Sequence, residues 1–173
     1  VFRLPLRRFY GPSNKCYNVS FLEFLNAEAT LYAYHKTKQR KHLRTLCAIL
    51  YRKRLKPFRP ASPHYSGDPR EQFNDFTYSR RTWRFRFLSA AKQQAVYTFY
   101  AGCRNALIAA HPKLFEGSES VSSETINPVN QLRKVMRSLN LGDMTKDEKI
   151  QKAQVWAAFA QLEDMVIQNK PKK

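Results

Sequence analysis

Two runs of this sequence interleave cationic and aromatic side chains, and their types and spacing point to a binding chemistry. The run YRKRLKPFR (51–59) places five cations beside two rings, and RRTWRFRF (80–87) places four arginines beside three rings. Lysine and arginine neutralise phosphates, and exposed rings stack on nucleic acid bases. The same groups can dock on an acidic protein face. The two runs therefore predict an anionic partner, either nucleic acid or protein.

The second run is ambiguous in its secondary structure. Trp83, Phe85 and Phe87 alternate with arginines, which is the period of a strand, although a bend between helices is the alternative. Because large aromatic side chains dominate protein cores, we expect the three rings to be buried. Arg84 and Arg86 would then face outward.

Three aromatic side chains are the candidates for docking a protein partner: Trp83 in the second run, and Trp156 and Phe159 in the last predicted helix. The candidates for contact with an anion come from the two runs, from the basic break before the second predicted helix and from that helix. The candidate contacts with an anionic partner or nucleic acid are Arg40, Lys41, Arg44, Arg52, Lys53, Arg54, Lys56, Arg59, Arg80, Arg81, Arg84 and Arg86.

Histidine and cysteine patterns predict neither a metal site nor a nucleophile. The four histidines lack the HExxH spacing and the three cysteines lack CxxC. Cys47 and Cys103 lie on apolar helical stripes and are predicted to be buried. Cys16, in a loop beside Lys15, could be reactive, but nothing in the sequence places a base next to it. The odd count and wide spacing of the cysteines favour a reducing compartment.

Carboxylates are scarce before residue 118. Glu71 and Asp75 have the i,i+4 spacing of one helical face, and paired acids can serve acid–base chemistry. We expect them instead to pair with Arg80, Arg81 or helix amides. Nucleotide-binding and hydrolase motifs such as GxxxxGK[ST], GxGxxG and GxSxG do not occur. The sequence therefore predicts a protein that is not an enzyme and that uses neither a cofactor nor a metal.

Positive charge is concentrated at the start of the chain. The formal net charge is +18, and residues 1–60 carry 14 lysine and arginine residues against 2 acids, a net of +12. Residues 118–173 carry 9 against 7, a net of +2. Concentrated charge of this kind attracts phosphates or acidic protein faces. We therefore expect the first third of the chain to contact the partner.

Length and composition predict an all-α single domain of five to six helices. The chain has 173 residues, of which 43% are hydrophobic, so it can bury a core. Only five glycines occur, which argues against a turn-rich β fold. Apolar runs do not approach the roughly 20 residues that span a bilayer, so no membrane contact is predicted. Since no signal-peptide pattern is present either, we expect a soluble protein.

Capping and periodicity place the first helices after an extended basic arm at residues 1–19. Ser20 and Glu23 have the spacing of a capping box, which begins a helix that reaches about Thr37. A second helix, 41–52, carries an apolar face and forms a helical hairpin with the first. Residues 53–69 are proline-rich and predicted to be a loop, with a third helix starting near residues 68–69. Ser89 caps a fourth helix, 90–110.

The rest of the helical domain, 20–169, contains two further predicted helices. Residues 116–127 are polar and predicted to be a loop. A short helix follows at 129–139, and the last helix covers about 146–169 with an apolar face. Residues 170–173 form a basic tail.

Four segments resemble motifs of uncharacterised small helical proteins from Bacteroidetes phages and prophages. The run FLEFLNAEATLYAYHKTKQRKHLRTLCAILYR (21–52) carries an aromatic–x–E–F step and ends in Leu–Tyr–Arg. DPREQFN (68–74) resembles their D–x–R–x–x–F–N segment, and YTFYAGCRNALIAAHPKLF (97–115) contains their Gly–Cys–Arg step. WAAFAQLED (156–164) resembles their Trp–x–x–Phe–x–x–Leu–Glu helix. The resemblance covers roughly residues 9–168.

The resemblance implies a structural or tail/virion-assembly protein that acts through protein–protein contacts. Its expected partners are other virion or assembly proteins, including acidic ones, and its expected state is an oligomer or a larger assembly. Its expected location is the virion or the host cytoplasm. The family has no known catalytic residues to carry over. The alternative is a basic helical module that binds DNA or RNA.

Overall fold

A computed structural model of the protein describes residues 1–4, 7–56, 67–115, 137 and 149–168. Helices dominate these residues, and the predicted all-α single domain is confirmed. Helices α1 (Phe21–Thr37), α2 (Arg40–Leu50) and α4 (Ala90–Ala110) form most of it, with the short α3 (Tyr78–Thr82) and α5 (Pro112–Phe115). Helix α6 (Val155–Gln168) follows near the end of the described chain.

Helix α1 begins and ends where its local chemistry requires. The Ser20 hydroxyl accepts a hydrogen bond from the backbone N–H of Glu23 at 3.2 Å, which satisfies one amide of the first turn. Lys38 takes a left-handed conformation with φ of 54° and donates its N–H to the Tyr34 carbonyl, which terminates the helix. The predicted helix from Ser20 to Thr37 is confirmed. The Glu23 side chain, however, does not complete the capping box.

Helix α2 presents the predicted apolar face, with Leu43, Leu46, Cys47 and Leu50 all buried. It ends at Leu50, two residues before the predicted end. Residues 51–52 are extended because the backbone of Arg52 pairs with that of Tyr10, through hydrogen bonds of 2.8 and 3.0 Å. This backbone pairing ends the helix and fixes the position of the Arg52 Cα atom, from which the side chain extends.

The N-terminal residues belong to the domain. Strands β1 (Phe2–Leu4) and β2 (Arg7–Phe9) pair in an antiparallel hairpin with Phe2 opposite Phe9. Phe9 is fully buried, and its ring centroid lies 5.2 Å from that of Phe85. A 3₁₀ turn at Asn14–Cys16 and the buried Val19 follow. Where the sequence predicted an extended basic arm, the described residues form a short hairpin and a 3₁₀ turn that pack on the helices.

Residues 68–77 are not helical, so the helix predicted to begin near Asp68 is wrong. The Asp68 carboxylate accepts the backbone N–H of Arg70 at 3.0 Å, which holds a local turn. Backbone hydrogen bonds from Leu55 to Pro69 and from Glu71 to Lys53 tie this stretch to residues 53–55. Helix α3 starts only at Tyr78, and a 3₁₀ helix at Trp83–Phe87 follows it.

Helix α4 covers the predicted range. The Ser89 hydroxyl accepts the Lys92 N–H at 3.4 Å, and Val96, Tyr100, Cys103 and Leu107 form its buried face. Helix α6 buries Val155, Ala158, Phe159 and Leu162. The chain before it is helical at 149–152 and then breaks, since the Ala153 carbonyl accepts the Phe21 N–H at 2.8 Å.

Several predictions lie outside the described residues. They are the polar loop 116–127, the helix 129–139, the start of the last helix, the tail 170–173 and residues 57–66 of the proline-rich loop. None of the described helices has both the length and the apolar composition that crossing a bilayer requires.

Candidate functional site

Four charged side chains meet inside the domain, and we call them the ion cluster: Glu23, Arg52, Asp68 and Arg70. Arg70 Nη1 lies 2.9 Å from Glu23 Oε1, and Arg52 Nη2 lies 3.0 Å from Glu23 Oε2. Asp68 binds both arginines, at 2.9 Å to Arg70 Nε and 3.2 Å to Arg52 Nη2. The cluster joins helix α1, the segment after α2 and the segment before α3.

The ion cluster is almost completely removed from water. Glu23 and Arg70 have no exposed side-chain surface, and Arg52 retains 2%. Arg70 also donates to the carbonyls of Leu50, at 2.8 Å, and Asn18, at 3.0 Å. A buried ion pair contributes little by itself, but removing one partner leaves an uncompensated charge. The cluster therefore acts as a clamp that holds three segments in one arrangement.

Burial and pairing oppose each other in the pKa values of this cluster. Burial raises the pKa of Glu23, and the guanidinium groups of Arg52 and Arg70 oppose that rise. Burial lowers the pKa of Arg52, and Glu23 opposes it. For Arg70, burial acts to lower the pKa, but Glu23 and Asp68 raise it above the ordinary arginine value. Both carboxylates accept hydrogen bonds from guanidinium groups.

A cleft of about 450 Å³ opens over the ion cluster. Amide side chains, including those of Asn18, Gln72 and Gln151, line it, and the ring of Phe73 lies 5.8 Å from Arg52 Cζ. The charged side chains at the bottom of the cleft are those of the ion cluster, which pair with one another. Arg52 Nε, however, makes no hydrogen bond among the described residues. In the described part of the chain, no group of three or more histidine, cysteine or acidic residues could hold a metal.

A second internal ion pair links α1 to α4. Arg104 Nε lies 2.9 Å from Glu28 Oε2, and the Tyr100 hydroxyl donates to Glu28 Oε1 at 2.8 Å. Burial raises the pKa of Tyr100, and the neighbouring Glu28 raises it further. Here too a carboxylate is held by its neighbours and not presented to a substrate.

The second basic–aromatic run exposes most of its side chains to solvent, in contrast to the buried ion cluster. We call the residues Arg80, Trp83, Arg84, Arg86 and Phe87 the arginine patch. Trp83 is 53% exposed and Phe87 is 55% exposed, and their ring centroids lie 6.2 Å apart, edge to face. Arg84 Cζ lies 5.4 Å and Arg86 Cζ 5.6 Å from the Trp83 ring centroid, within cation–π distance. Arg86 also lies 4.7 Å from the Phe87 ring.

The 3₁₀ geometry explains why only one of the three rings is buried. Side chains at i and i+3 share one side of a 3₁₀ helix. Phe85 and Leu88 therefore point to the same side, and both are buried. Trp83 and Phe87 fall on the other sides. A strand would have placed all three rings on one face, so the predicted burial of Trp83 and Phe87 is wrong and that of Phe85 is confirmed.

Two of the predicted anionic-partner contacts are buried and cannot reach a partner. Arg52 belongs to the ion cluster. Arg81 donates to the Ala48 carbonyl at 3.3 Å and to Thr77 Oγ1 at 3.2 Å. Arg59 lies outside the described residues. The candidates with exposed or partly exposed side chains are Arg40, Lys41, Arg44, Lys53, Arg54, Lys56, Arg80, Arg84 and Arg86.

The other two candidates for protein docking are engaged within the fold. Phe159 is buried against Phe24, with ring centroids 5.5 Å apart, so its predicted docking role is wrong. Trp156 is half-buried, donates its indole N–H to the Lys15 carbonyl at 3.0 Å and packs on Tyr17. Of the three predicted docking aromatics, only Trp83 is widely exposed.

The three thiols and His111 lie among residues of the fold and face no pocket that the structure describes. Cys47 and Cys103 are buried as predicted, and burial raises the pKa of Cys47 to about 12. Cys16, which was considered as a reactive loop thiol, is also buried. A hydrogen bond with Cys103, together with burial, raises the pKa of Cys16. His111 Nδ1 lies 2.9 Å from Glu163 Oε2.

The ion cluster was missed because tertiary contacts create it, yet the sequence did carry one signal. Its four residues all lie in runs singled out in the sequence: Glu23 in FLEF, Arg52 in LYR, and Asp68 and Arg70 in DPR. Arg104, from the Gly–Cys–Arg step, also forms an ion pair. Internal pairing therefore accounts for these five charged positions.

Comparison with known proteins adds no relative to this description. No protein-family model, curated protein or solved structure matches the chain.

Proposed function

We propose that the protein is a non-enzymatic structural or tail/virion-assembly component, encoded by a phage or prophage, that acts through protein–protein contacts. The observation that carries the proposal is the division between its charged groups. Its buried carboxylates are held by arginines, whereas the arginine patch presents cations and rings to solvent. Exposed aromatic and arginine side chains are the groups that dominate protein interfaces.

Internal pairing also supports the non-enzymatic part of the proposal. A general base needs a lone pair that can reach a substrate proton. Glu23, Asp68 and Glu28 accept hydrogen bonds from arginine guanidinium groups, and Glu28 accepts one from Tyr100 as well. The acceptor atoms of these carboxylates are therefore directed at groups inside the domain, away from a substrate.

A protein partner is favoured over nucleic acid by the surroundings of Trp83. Single-stranded nucleic acid binds aromatic side chains by stacking its bases on the ring faces. The guanidinium groups of Arg84 and Arg86 lie over the Trp83 ring and compete with a base for that space. Arginine and aromatic side chains packed together are typical of protein-binding hot spots.

Nucleic acid binding is the second candidate function, favoured by a different observation. Residues 76–115 contain seven lysine and arginine residues and no acid. Arg40, Lys41, Arg80 and Arg86 are exposed. Such a surface attracts phosphates, and the affinity would fall steeply as salt increases.

Isolation of the protein from its own host, after induction of the phage or prophage, separates the two candidates. We expect it to sediment with particles or assembly intermediates, and to stay with them after nuclease treatment and in high salt. Release by nuclease or by moderate salt would support nucleic acid binding. Sedimentation only as free protein would overturn the assembly role.

A further inference from the structure

The arginine patch is anchored to the domain by its neighbours, while its own side chains are exposed or, for Arg84, partly exposed. Phe85, inside the same 3₁₀ helix, has 0% exposure and packs on Phe9. Arg81, one turn earlier, is anchored to the Ala48 carbonyl of α2. Leu88 is buried at the other end. A surface that is already ordered loses little conformational entropy when a partner binds, which favours affinity.

The apolar part of the patch is unusual for a free surface. In the described part of the chain, Trp83 and Phe87 expose more than half of their surface and touch each other edge to face. Paired exposed rings of this kind mark interaction sites more often than scattered apolar residues do. Removing them from water on a partner would provide the hydrophobic part of the binding free energy.

The charged part of the patch specifies the partner. Arg80, Arg84 and Arg86 surround the rings, and the nearest acids in the sequence are Asp75 and Glu116. Planar guanidinium groups bind carboxylates in pairs of parallel hydrogen bonds. Charge complementarity therefore favours a partner rich in aspartate and glutamate, with apolar side chains that can pack on the rings.

We propose that the arginine patch is the docking surface for an acidic protein segment that presents apolar side chains between its carboxylates. Trp83 and Phe87 pack against those apolar side chains, and Arg84 and Arg86 bind the flanking carboxylates. This inference rests on the proposed function, since it identifies the surface and the chemistry of the partner in that role.

Binding of synthetic peptides to the full chain tests the proposal. The probes are a fluorescent peptide in which leucine or phenylalanine alternates with pairs of aspartate and glutamate, a polyglutamate peptide and a single-stranded oligonucleotide. We expect the mixed peptide to bind more tightly than polyglutamate. Trp83→Ala and the double variant Arg84→Glu/Arg86→Glu should each weaken it about tenfold or more, as hot-spot residues do.

Two matched variants control for general effects. Phe76→Ala removes a ring that is 83% exposed and lies outside the patch. Lys113→Glu on α5 reverses a charge at an exposed position outside the patch. Both should leave peptide affinity within about twofold of the wild type, because most exposed positions outside a hot spot contribute little. Thermal melting of every variant establishes that it is folded.

Three outcomes would overturn the proposal: no binding of the mixed peptide, equal losses in patch and control variants, or a loss confined to the oligonucleotide. The last result would indicate a nucleic acid surface. Failure here is distinguishable from failure of the proposed function. Patch variants that still sediment with assemblies would contradict only the docking surface, whereas patch-dependent peptide binding without any assembly would contradict only the assembly role.

Discussion

The ion cluster and the arginine patch are built from the same residue type and have opposite surroundings. In the ion cluster, Arg52 and Arg70 are buried against Glu23 and Asp68 at distances of 2.9–3.2 Å. In the arginine patch, Arg84 and Arg86 lie over the ring of an exposed tryptophan. In the ion cluster, the arginine charges are paired with carboxylates of the same domain. In the arginine patch, the guanidinium groups can still bind carboxylates of a partner.

The difference teaches that the count of arginines in a basic run overstates its capacity to bind. Arg52 and Arg81 fall in the two basic runs and serve the interior of the domain. Substitutions in the two regions should therefore differ in their effects on stability and on partner binding.

Arg70→Ala should cause the largest loss of stability. It leaves Glu23 without one of its two guanidinium partners and removes most of the bonds to Asp68. Breaking a buried pair from one side costs about 3–5 kcal/mol of unfolding free energy. Urea denaturation measures it, with Arg80→Ala in the arginine patch as the control, expected to stay within about 0.5 kcal/mol. Equal effects of the two substitutions would contradict the division between the regions.

Phe85→Ala and Trp83→Ala compare two rings within one 3₁₀ helix. Phe85 is fully buried, so its truncation should cost about 3 kcal/mol by creating a cavity. Trp83 is 53% exposed, and its truncation should change stability by about 0.5 kcal/mol or less while it weakens partner binding. Thermal and chemical denaturation measure both variants. A large destabilisation by Trp83→Ala would show that the ring serves the fold.

Tyr100→Phe removes one of the two donors that hold Glu28. The hydroxyl donates to a buried carboxylate at 2.8 Å, and Arg104 remains as its partner at 2.9 Å. Loss of a hydrogen bond to a charged group should cost about 2 kcal/mol. Chemical denaturation measures the loss, with Tyr97→Phe as a partly exposed control on the same helix. An unchanged midpoint would mean that water replaces the hydroxyl.

Glu163→Gln should give the smallest effect, and its size depends on pH. A hydrogen bond from His111 lowers the pKa of Glu163 below its ordinary value of 4.5. A carboxylate with a depressed pKa in the folded state contributes stability above the unfolded-state pKa and loses it as pH falls through the folded value. Wild type should therefore melt above Glu163→Gln at pH 6, and the gap should close in acid. A gap that is independent of pH would exclude the ion pair as its cause.

Local signals in the sequence predicted the helices that depend on local chemistry. Ser20 and Ser89 cap α1 and α4 as expected, and the stripe from Val96 to Leu107 is buried. The prediction was wrong where tertiary contacts override local preference. Asp68 turns the chain where a helix was expected, because its carboxylate is bound to Arg70 and Arg52.

The all-α fold class could be predicted from the amino-acid sequence alone. So could the capped helices α1 and α4 and the concentration of positive charge near the N-terminus. These follow from periodicity, capping side chains and composition, each of which is a local property. Which arginines are buried in ion pairs and which are exposed to solvent depends on the tertiary structure. Burial of a guanidinium depends on a carboxylate brought to it by another segment, as Glu23 is brought to Arg70 across 47 residues. The spacing of residues within one segment cannot predict a contact between two distant segments.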